Sequence, residues 1–469
     1  TTAGNIYDLA ITKFTADGSS LLYSTFIGGE AQETPHSIVV DNNDNIFIMG
    51  VTGSANFPAQ PGAFDPSFSP GSALNMNTFF YGNHPQGADL FVAKLDNAGG
   101  LTNCTFLGNS DPDGLNYASG LFYNYGDAFR GEINIHPNGN VFVATTVRGS
   151  FPVTGNAGQS SFGGGASDGA LVVLSSDLEN LLYATYIGGS SDDACYAVQF
   201  DNAGQILICG GTKSVNFPIP NGGFDSNFNG NVDGFILKMN PVNFAIVGGT
   251  YIGTSDFDQA FFVQCDNNNN VYALGQTNGN TPITAGCYGQ PNSGLFVQKY
   301  NNNLTALTWN TVIGTGSGEV DLSPTAFLVS DCEQIFLSGW GGGVNNYCGG
   351  APYTCMATSS TTLGLPITAN AQQTTTDGDD FYLCVLSPNA TNIVYGSFYG
   401  GAVSSEHVDG GTSRFSKNGF VYQAVARIAN CNGAIPVIGC WLIDGVAAGI
   451  GIRESATPIT DNLSCFVPH

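Results

Sequence analysis

The sequence predicts an all-β chain, a β-propeller of four-stranded blades, on three observations. A compound unit of four short strands recurs along the chain. Turns rich in Gly, Asn and Asp punctuate every unit, and no amphipathic helix lies between the strands. Each unit is read as strands A to D, from the propeller axis outward. Neighbouring blades cover one another's faces, so a ring of them shares one core.

Strand C opens most plainly. It reads Asp8-Leu9-Ala10-Ile11-Thr12-Lys13 and Asp89-Leu90-Phe91-Val92-Ala93-Lys94, and again Gly234-Phe235-Ile236-Leu237-Lys238, with weaker copies at 168–174, 294–299 and 380–385. Strand D follows and ends on Gly, as in Leu21 to Gly29 and Leu181 to Gly189, with related runs at 105–108, 249–253, 309–314 and 394–401. A hairpin of strands A and B comes next, 37–41 with 45–50 and 196–201 with 205–210. Further copies are 132–135 with 141–144, 262–266 with 271–275, 327–330 with 335–339, and 413–415 with 420–424. Its turns, such as Asp201-Asn202-Ala203-Gly204, carry residues that tolerate tight bends. A long loop then leads back to strand C, often opening on Phe-Pro, as at Phe57-Pro58, Phe151-Pro152 and Phe217-Pro218.

Six copies are counted, and a seventh blade beyond the chain is compatible with the pattern. The chain starts and ends halfway through a unit, so the ring is expected to close where N-terminal strands join C-terminal ones. Residues 1–430 form the propeller on this reading. Residues 431–469 break the pattern and read as a closing strand near 439–444 with an extension or linker.

Composition narrows the function. A net charge of −25 with only 11 Lys and Arg excludes a phosphate-binding footprint, so no nucleic acid is expected. No apolar run is long enough to cross a membrane as a helix. The 12 Cys lack a CxxC pair, which argues for an oxidising exterior over zinc. Thr1 reads as the start of a mature or excised fragment. Candidate disulfides are Cys195 with Cys209, Cys348 with Cys355, and Cys431 with Cys440. Buried free thiols are the alternative for each pair, more readily for the first than for the two loop pairs.

Several pieces resemble a known family. Tyr183 to Gly189, Phe336-Leu337-Ser338-Gly339-Trp340-Gly341-Gly342 and His407 to Phe415 are similar to the seven-bladed β-propeller repeat family of secreted and cell-surface proteins of Bacteroidetes. The last two pieces resemble gliding-motility-associated members. The resemblance covers the chain to about Arg427 and implies export by the type IX route and display on the cell surface. It brings no catalytic residues with it, and fold alone does not establish activity.

Topology places the long B–C loops and the D–A crossovers on one face, where function is expected. Acids recur in every crossover: Glu30 and Glu33, Asp111 and Asp113, Asp192 and Asp193, Asp256 and Asp258, Glu319 and Asp321, Glu406 and Asp409. Gathered at the channel mouth, they suit Ca²⁺ or a cationic partner. The same acids also suit turn capping and solubility. The five His are read as surface or loop residues, and Trp340 and Tyr347 as candidates for stacking on a sugar. Because the acids repeat, while a catalytic pair should be singular, the chain is expected to be a non-catalytic adhesion, binding or assembly module. Its expected partners are other secreted or surface proteins or glycans, in a homo-oligomer or a larger multidomain chain. A structural subunit of a surface layer or filament is one alternative. A polysaccharide-acting enzyme, which would need two carboxylates facing one cleft, is the other.

Overall fold

A computed structural model describes residues 8–15, 19–72, 84, 86–116, 118–346 and 359–401, together with the backbone of 423–424, 435–443, 446–455 and 465–467. The chain opens on a two-stranded sheet of β1 (Leu9–Phe14) and β2 (Leu21–Ile27). Five complete antiparallel blades follow, each with its strands in sequence order across the sheet. The first holds β3 (Glu33–Val40), β4 (Ile46–Thr52), β5 (Asp89–Leu95) and β6 (Leu101–Leu107), and the second β7 (Glu132–Ile135), β8 (Val141–Val147), β9 (Asp168–Leu174) and β10 (Leu181–Ile187). The third holds β11 (Asp193–Phe200), β12 (Ile206–Thr212), β13 (Asp233–Met239) and β14 (Ile246–Ile252). The fourth holds β15 (Asp258–Cys265), β16 (Val271–Thr277), β17 (Leu295–Tyr300) and β18 (Leu307–Ile313), and the fifth β19 (Ser323–Val329), β20 (Ile335–Trp340), β21 (Phe381–Leu386) and β22 (Ile393–Tyr399). The innermost strands β3, β7, β11, β15 and β19 succeed one another around the axis. A further sheet joins β23 (Gln423–Ala424), β24 (Ile435–Ile443), β25 (Val446–Ser455) and β26 (Cys465–Val467). Among the described residues, β1 is hydrogen-bonded to β2 alone.

In the first, third and fourth blades strand A is longer than expected and begins at the crossover acid itself. The reason is a β-bulge. Register shifts between Pro35 and Ser37, Cys195 and Ala197, Ala260 and Phe262, and Pro324 and Ala326. One extra residue breaks the two-residue alternation, so the first half of the strand does not look like a strand in sequence. The bulge also explains the Gly that ends strand B. A Cβ at Gly50, Gly210 or Gly275 would overlap the carbonyl oxygen of Thr34, Ala194 or Gln259, and at Gly339 would crowd that of Ser323. In the second blade the pairing of strands A and B has no bulge, β7 is only four residues long, and Ala144 takes the place of the Gly.

The recurring Lys of strand C clamps one blade to the next on the short-turn face. Lys94 Nζ donates to the Ser176 carbonyl at 2.8 Å, and Lys238 Nζ to the Asn302 carbonyl at 3.1 Å. Lys238 also pairs with Asp201 at 2.8 Å in its own A–B turn, and Lys299 pairs with Asp266 at 3.0 Å and Glu333 at 2.9 Å. Between blades the apolar faces interlock, as where Phe142, Leu171 and Tyr183 of the second blade meet Ile208, Phe235 and Leu237 of the third.

Candidate functional site

The long B–C loops are pinned to strand D by the residue types that recur there. Backbone N–H groups of Asp65, Gln159, Asp225 and Gln373 donate to the hydroxyls of Thr105, Thr185, Thr250 and Ser397. Asp89, Asp168 and Asp233, which open strand C, accept N–H bonds from Ser69, Gly163 and Asn229 in the same loops. The Phe of each Phe-Pro packs on the strand D aromatic: Phe57 near Phe106, Phe151 near Tyr186 and Phe217 near Tyr251, at 6.3–6.4 Å between centroids. The loop-rich face is therefore a set of tethered loops on a rigid scaffold.

The crossover acids divide into two sets. Glu33, Asp113, Asp193, Asp258 and Asp321 are buried. Each caps the turn after strand D. Asp193 accepts the Gly189 N–H at 2.6 Å, the Ser214 hydroxyl at 2.8 Å and the Thr212 hydroxyl. Glu33 accepts from Gly29, Thr52 and Ser54 in the same way, and Asp258 and Asp321 accept the N–H and hydroxyl of Thr254 and Thr315. Asp113 accepts the N–H groups of Asn109 and Arg148. Burial raises the affinity of these groups for a proton, with Asp193 pushed up to about 6. Glu30, Asp111, Asp192, Asp256 and Glu319 stand nearer solvent. Even there, Asp111 accepts the Ser150 N–H and Asp192 the Ala166 N–H, and Asp192 lies 3.8 Å from Lys213. Glu406 and Asp409 lie outside the described residues. Among the described residues no three His, Cys, Asp or Glu side chains come together in a way that would hold a metal ion.

The axis carries a feature that the repeat does not foretell. The crossover between β6 and β7 is far longer than the others and folds into two short 3₁₀ turns, Ser119–Leu121 and Tyr125–Phe129. Leu115, Ala118, Leu121, Phe122, Tyr123 and Ala128 on it are buried. It reaches three other blades. The Leu121 carbonyl accepts from Gln259, Asn116 donates to the Tyr196 hydroxyl, and Ser323 donates to Asn124. Arg130 lies 3.8 Å from the centre of the Phe261 ring, pairs with Asp127 at 2.8 Å and donates to the Pro324 carbonyl. Asp127 also accepts the N–H groups of Tyr123 and Asn124. The Tyr123 hydroxyl donates to Glu319 at 3.2 Å. Burial, reinforced by the Glu319 charge, pushes that phenol up to about 12. The sequence signal for this hub was the spacing itself: 24 residues separate Leu107 from Glu132, against five between Ile187 and Asp193.

Other expectations are corrected. Cys195 and Cys209 are free thiols, not a disulfide. Cys195 faces Gly210 across the hairpin, and the two thiols enter different apolar clusters on opposite sides of the blade. Cys348, Cys355 and Cys431 lie outside the described residues, as does the side chain of Cys440. His84 and His136 lie in loops, as read from the sequence, but are buried, the latter against Phe142 and Phe200. Trp340 is a core residue beside Phe381, so it offers no sugar platform. Tyr347 lies outside the described residues.

Comparison with known proteins supports the repeat. Residues 22–58 match the β-propeller repeat family, and four-stranded blades repeat along the described residues. Residues 399–469 match a different family, the glutathionylspermidine synthase preATP-grasp domain. In the same direction, 68 residues are 38% identical to a putative acid–amine ligase of Haemophilus influenzae, covering 14% of this chain and 16% of that protein. The chain thus spans about a sixth of the curated relative it matches. Among solved structures, a GH43 β-1,3-galactosidase is 8% identical, with 72% of this chain and 91% of that one covered at a TM-score of 0.33. A PL25 ulvan lyase is 11% identical over 74% and 70% of the two chains, also at 0.33. A xylan β-1,4-xylosidase of Bacillus halodurans is 10% identical over 92% and 71%, at 0.31. All three are enzymes, and against them the expectation that the chain is no enzyme is withdrawn.

Proposed function

We propose that this chain is an exported propeller that acts on extracellular polysaccharide, with Glu319 at the axis of the loop-rich face as its acid–base group. The observation that supports it is the Tyr123–Glu319 contact at 3.2 Å, which joins the longest crossover to the one between β18 and β19. The buried crossover carboxyls are occupied as turn caps. Glu319 is half-buried and faces the hub, and the buried Tyr123 orients it. Asp321, two residues on, is the nearest second carboxyl in the chain and is turned toward Thr315. A glycosidase places two carboxyls roughly 5–10 Å apart across the scissile bond. A net charge of −25 disfavours sulfated or uronate-rich polymers, so the substrate is a neutral or amino-bearing polysaccharide. The resemblance of 336–342 and 407–415 to surface propellers supports export.

The test is release of reducing ends from a panel of neutral glycans and chitosan. Wild-type activity that falls about 100-fold or more in Glu319→Gln, with a smaller loss and a displaced pH profile in Tyr123→Phe, is expected. Activity that survives Glu319→Gln would refute the assignment. No activity or binding on any glycan would refute the function.

A further inference from the structure

Lys238 departs from the other strand C lysines. On the short-turn face its ammonium meets the Asp201 carboxylate at 2.8 Å, the Asn302 backbone carbonyl at 3.1 Å and the Asn302 side-chain oxygen. The Lys238 and Asp201 side chains are 7% and 1% exposed. An amine, an amide carbon one bond beyond Oδ1 and a carboxyl group are therefore held together away from water. The other lysines lack one part or another. Lys94 meets the Ser176 carbonyl, and Ser176 takes the place of Asn302 in that turn. Lys299 pairs with Asp266 and Glu333, but Pro388 takes the place of Asn302 in the next blade. Lys13 reaches the Asn97 backbone carbonyl at 3.5 Å.

We propose that Lys238 and Asn302 react to form an isopeptide bond that rivets the third blade to the fourth, with Asp201 carrying the proton. The two residues are 64 apart in the chain, so the bond closes a loop across the blade interface. Amines hardly attack amides in dilute solution. Holding the two in contact supplies the effective concentration that the reaction lacks, and a desolvated lysine is the better nucleophile.

The ion pair is the arrangement before reaction. Asp201 Oδ1 is held by the N–H groups of Ala203 and Gln205 at 2.9 and 2.8 Å, which leaves Oδ2 facing Nζ. A proton passes from Nζ to Oδ2, and both groups become neutral in a site shielded from water. Nζ then adds to Cγ of Asn302, while Asp201 gives its proton to Oδ1 of Asn302. A proton of Nζ moves to the amide nitrogen, the Cγ–Nδ2 bond breaks and ammonia leaves past the half-buried Asn302. As the carbonyl re-forms, its proton returns to Asp201. One N–C bond is exchanged for another, and nothing is oxidised or reduced.

The experiment is mass spectrometry of the full chain, purified folded and then reduced and denatured. A mass about 17 Da below that of the sequence is expected, together with a digest product joined between Lys238 and Asn302. Trypsin cleavage after Lys238 in most molecules overturns the proposal. So does a loss of the same mass that maps to an Asn-Gly pair as a succinimide. Asp201→Ser keeps a side-chain oxygen for the turn, as Ser330 does for Gln334 in the fifth blade, but cannot carry the proton. That variant should fold, by circular dichroism, and retain the full mass, with the bond partly restored in Asp201→Glu. A bond that forms in full in Asp201→Ser overturns the role given to Asp201.

Discussion

Replacing Gly210 with Ala tests whether the bulge explains the repeat. The new methyl would overlap the Ala194 carbonyl and come within 2.8 Å of Phe235 Cζ. Neither neighbour has room to retreat. Ala194 lies on the bulged strand β11, whose Tyr196 is tied to Gln259 and Asn116 across the axis, and Phe235 is fully buried. Overpacking of this kind costs about 1–3 kcal/mol. Removing a strand Gly returns about 0.5–1 kcal/mol, so a net loss of about 1 kcal/mol is expected. In urea the midpoint should fall at unchanged slope. Gly155→Ala is the control, since an added Cβ there meets nothing within 4 Å. Ala144→Gly, in the blade whose strand A has no bulge, should lose stability by about 0.5–1 kcal/mol for the opposite reason. Equal midpoints for Gly210→Ala and Gly155→Ala would refute the steric account.

Lys238→Met strands the buried Asp201 carboxylate and frees the Asn302 carbonyl, so a loss of about 3 kcal/mol is expected in denaturant titration. Arg130→Met leaves Asp127 buried without its cation and should loosen the hub, read as faster hydrogen exchange across 115–130 with the blade strands still protected. Asp89, Asp168 and Asp233 are each pushed up to about 7 by burial, reinforced by Asp65 beside the first, Asp193 beside the second, and Asp258 and Asp225 beside the third. A folded pKa above the unfolded value means that stability is full below about pH 4 and is lost as the pH rises through about 7. Melting points should therefore fall between pH 5 and pH 8, and Asp168→Asn should flatten that fall. A melting point that rises over this range would contradict the assignment.

The fold was legible because strands B, C and D recur as short runs rich in β-branched and aromatic residues and end on Gly or Asn/Asp turns. Strand A was only half legible, since the extra residue at His36, Tyr196, Phe261 or Thr325 resets the alternation. The recurring acids were legible as a pattern, but their job was not. Whether a carboxylate faces solvent or a glycine N–H depends on which of two adjacent residues turns inward, as Asp192 and Asp193 show. The hub was legible only as an over-long crossover. Tyr123 and Glu319 are 196 residues apart, and nothing local ties one to the other.

That separation bears on how the chain comes to be folded. The hub is made early and its partners late: Ser323 follows Asn124 by 199 residues. At roughly 5–20 residues per second of synthesis, the hub waits on the order of 10–40 s for the fifth blade to emerge. Through that interval Leu121 and Tyr123 lack part of the burial they have in the finished protein, whereas Phe122 packs on the first blade. The first four blades can pair strand by strand as they appear, but the centre sets last. A ribosome pause after the fourth blade would prolong the most aggregation-prone stage of this protein's life, and a chaperone with a preference for aromatic segments would be most useful there.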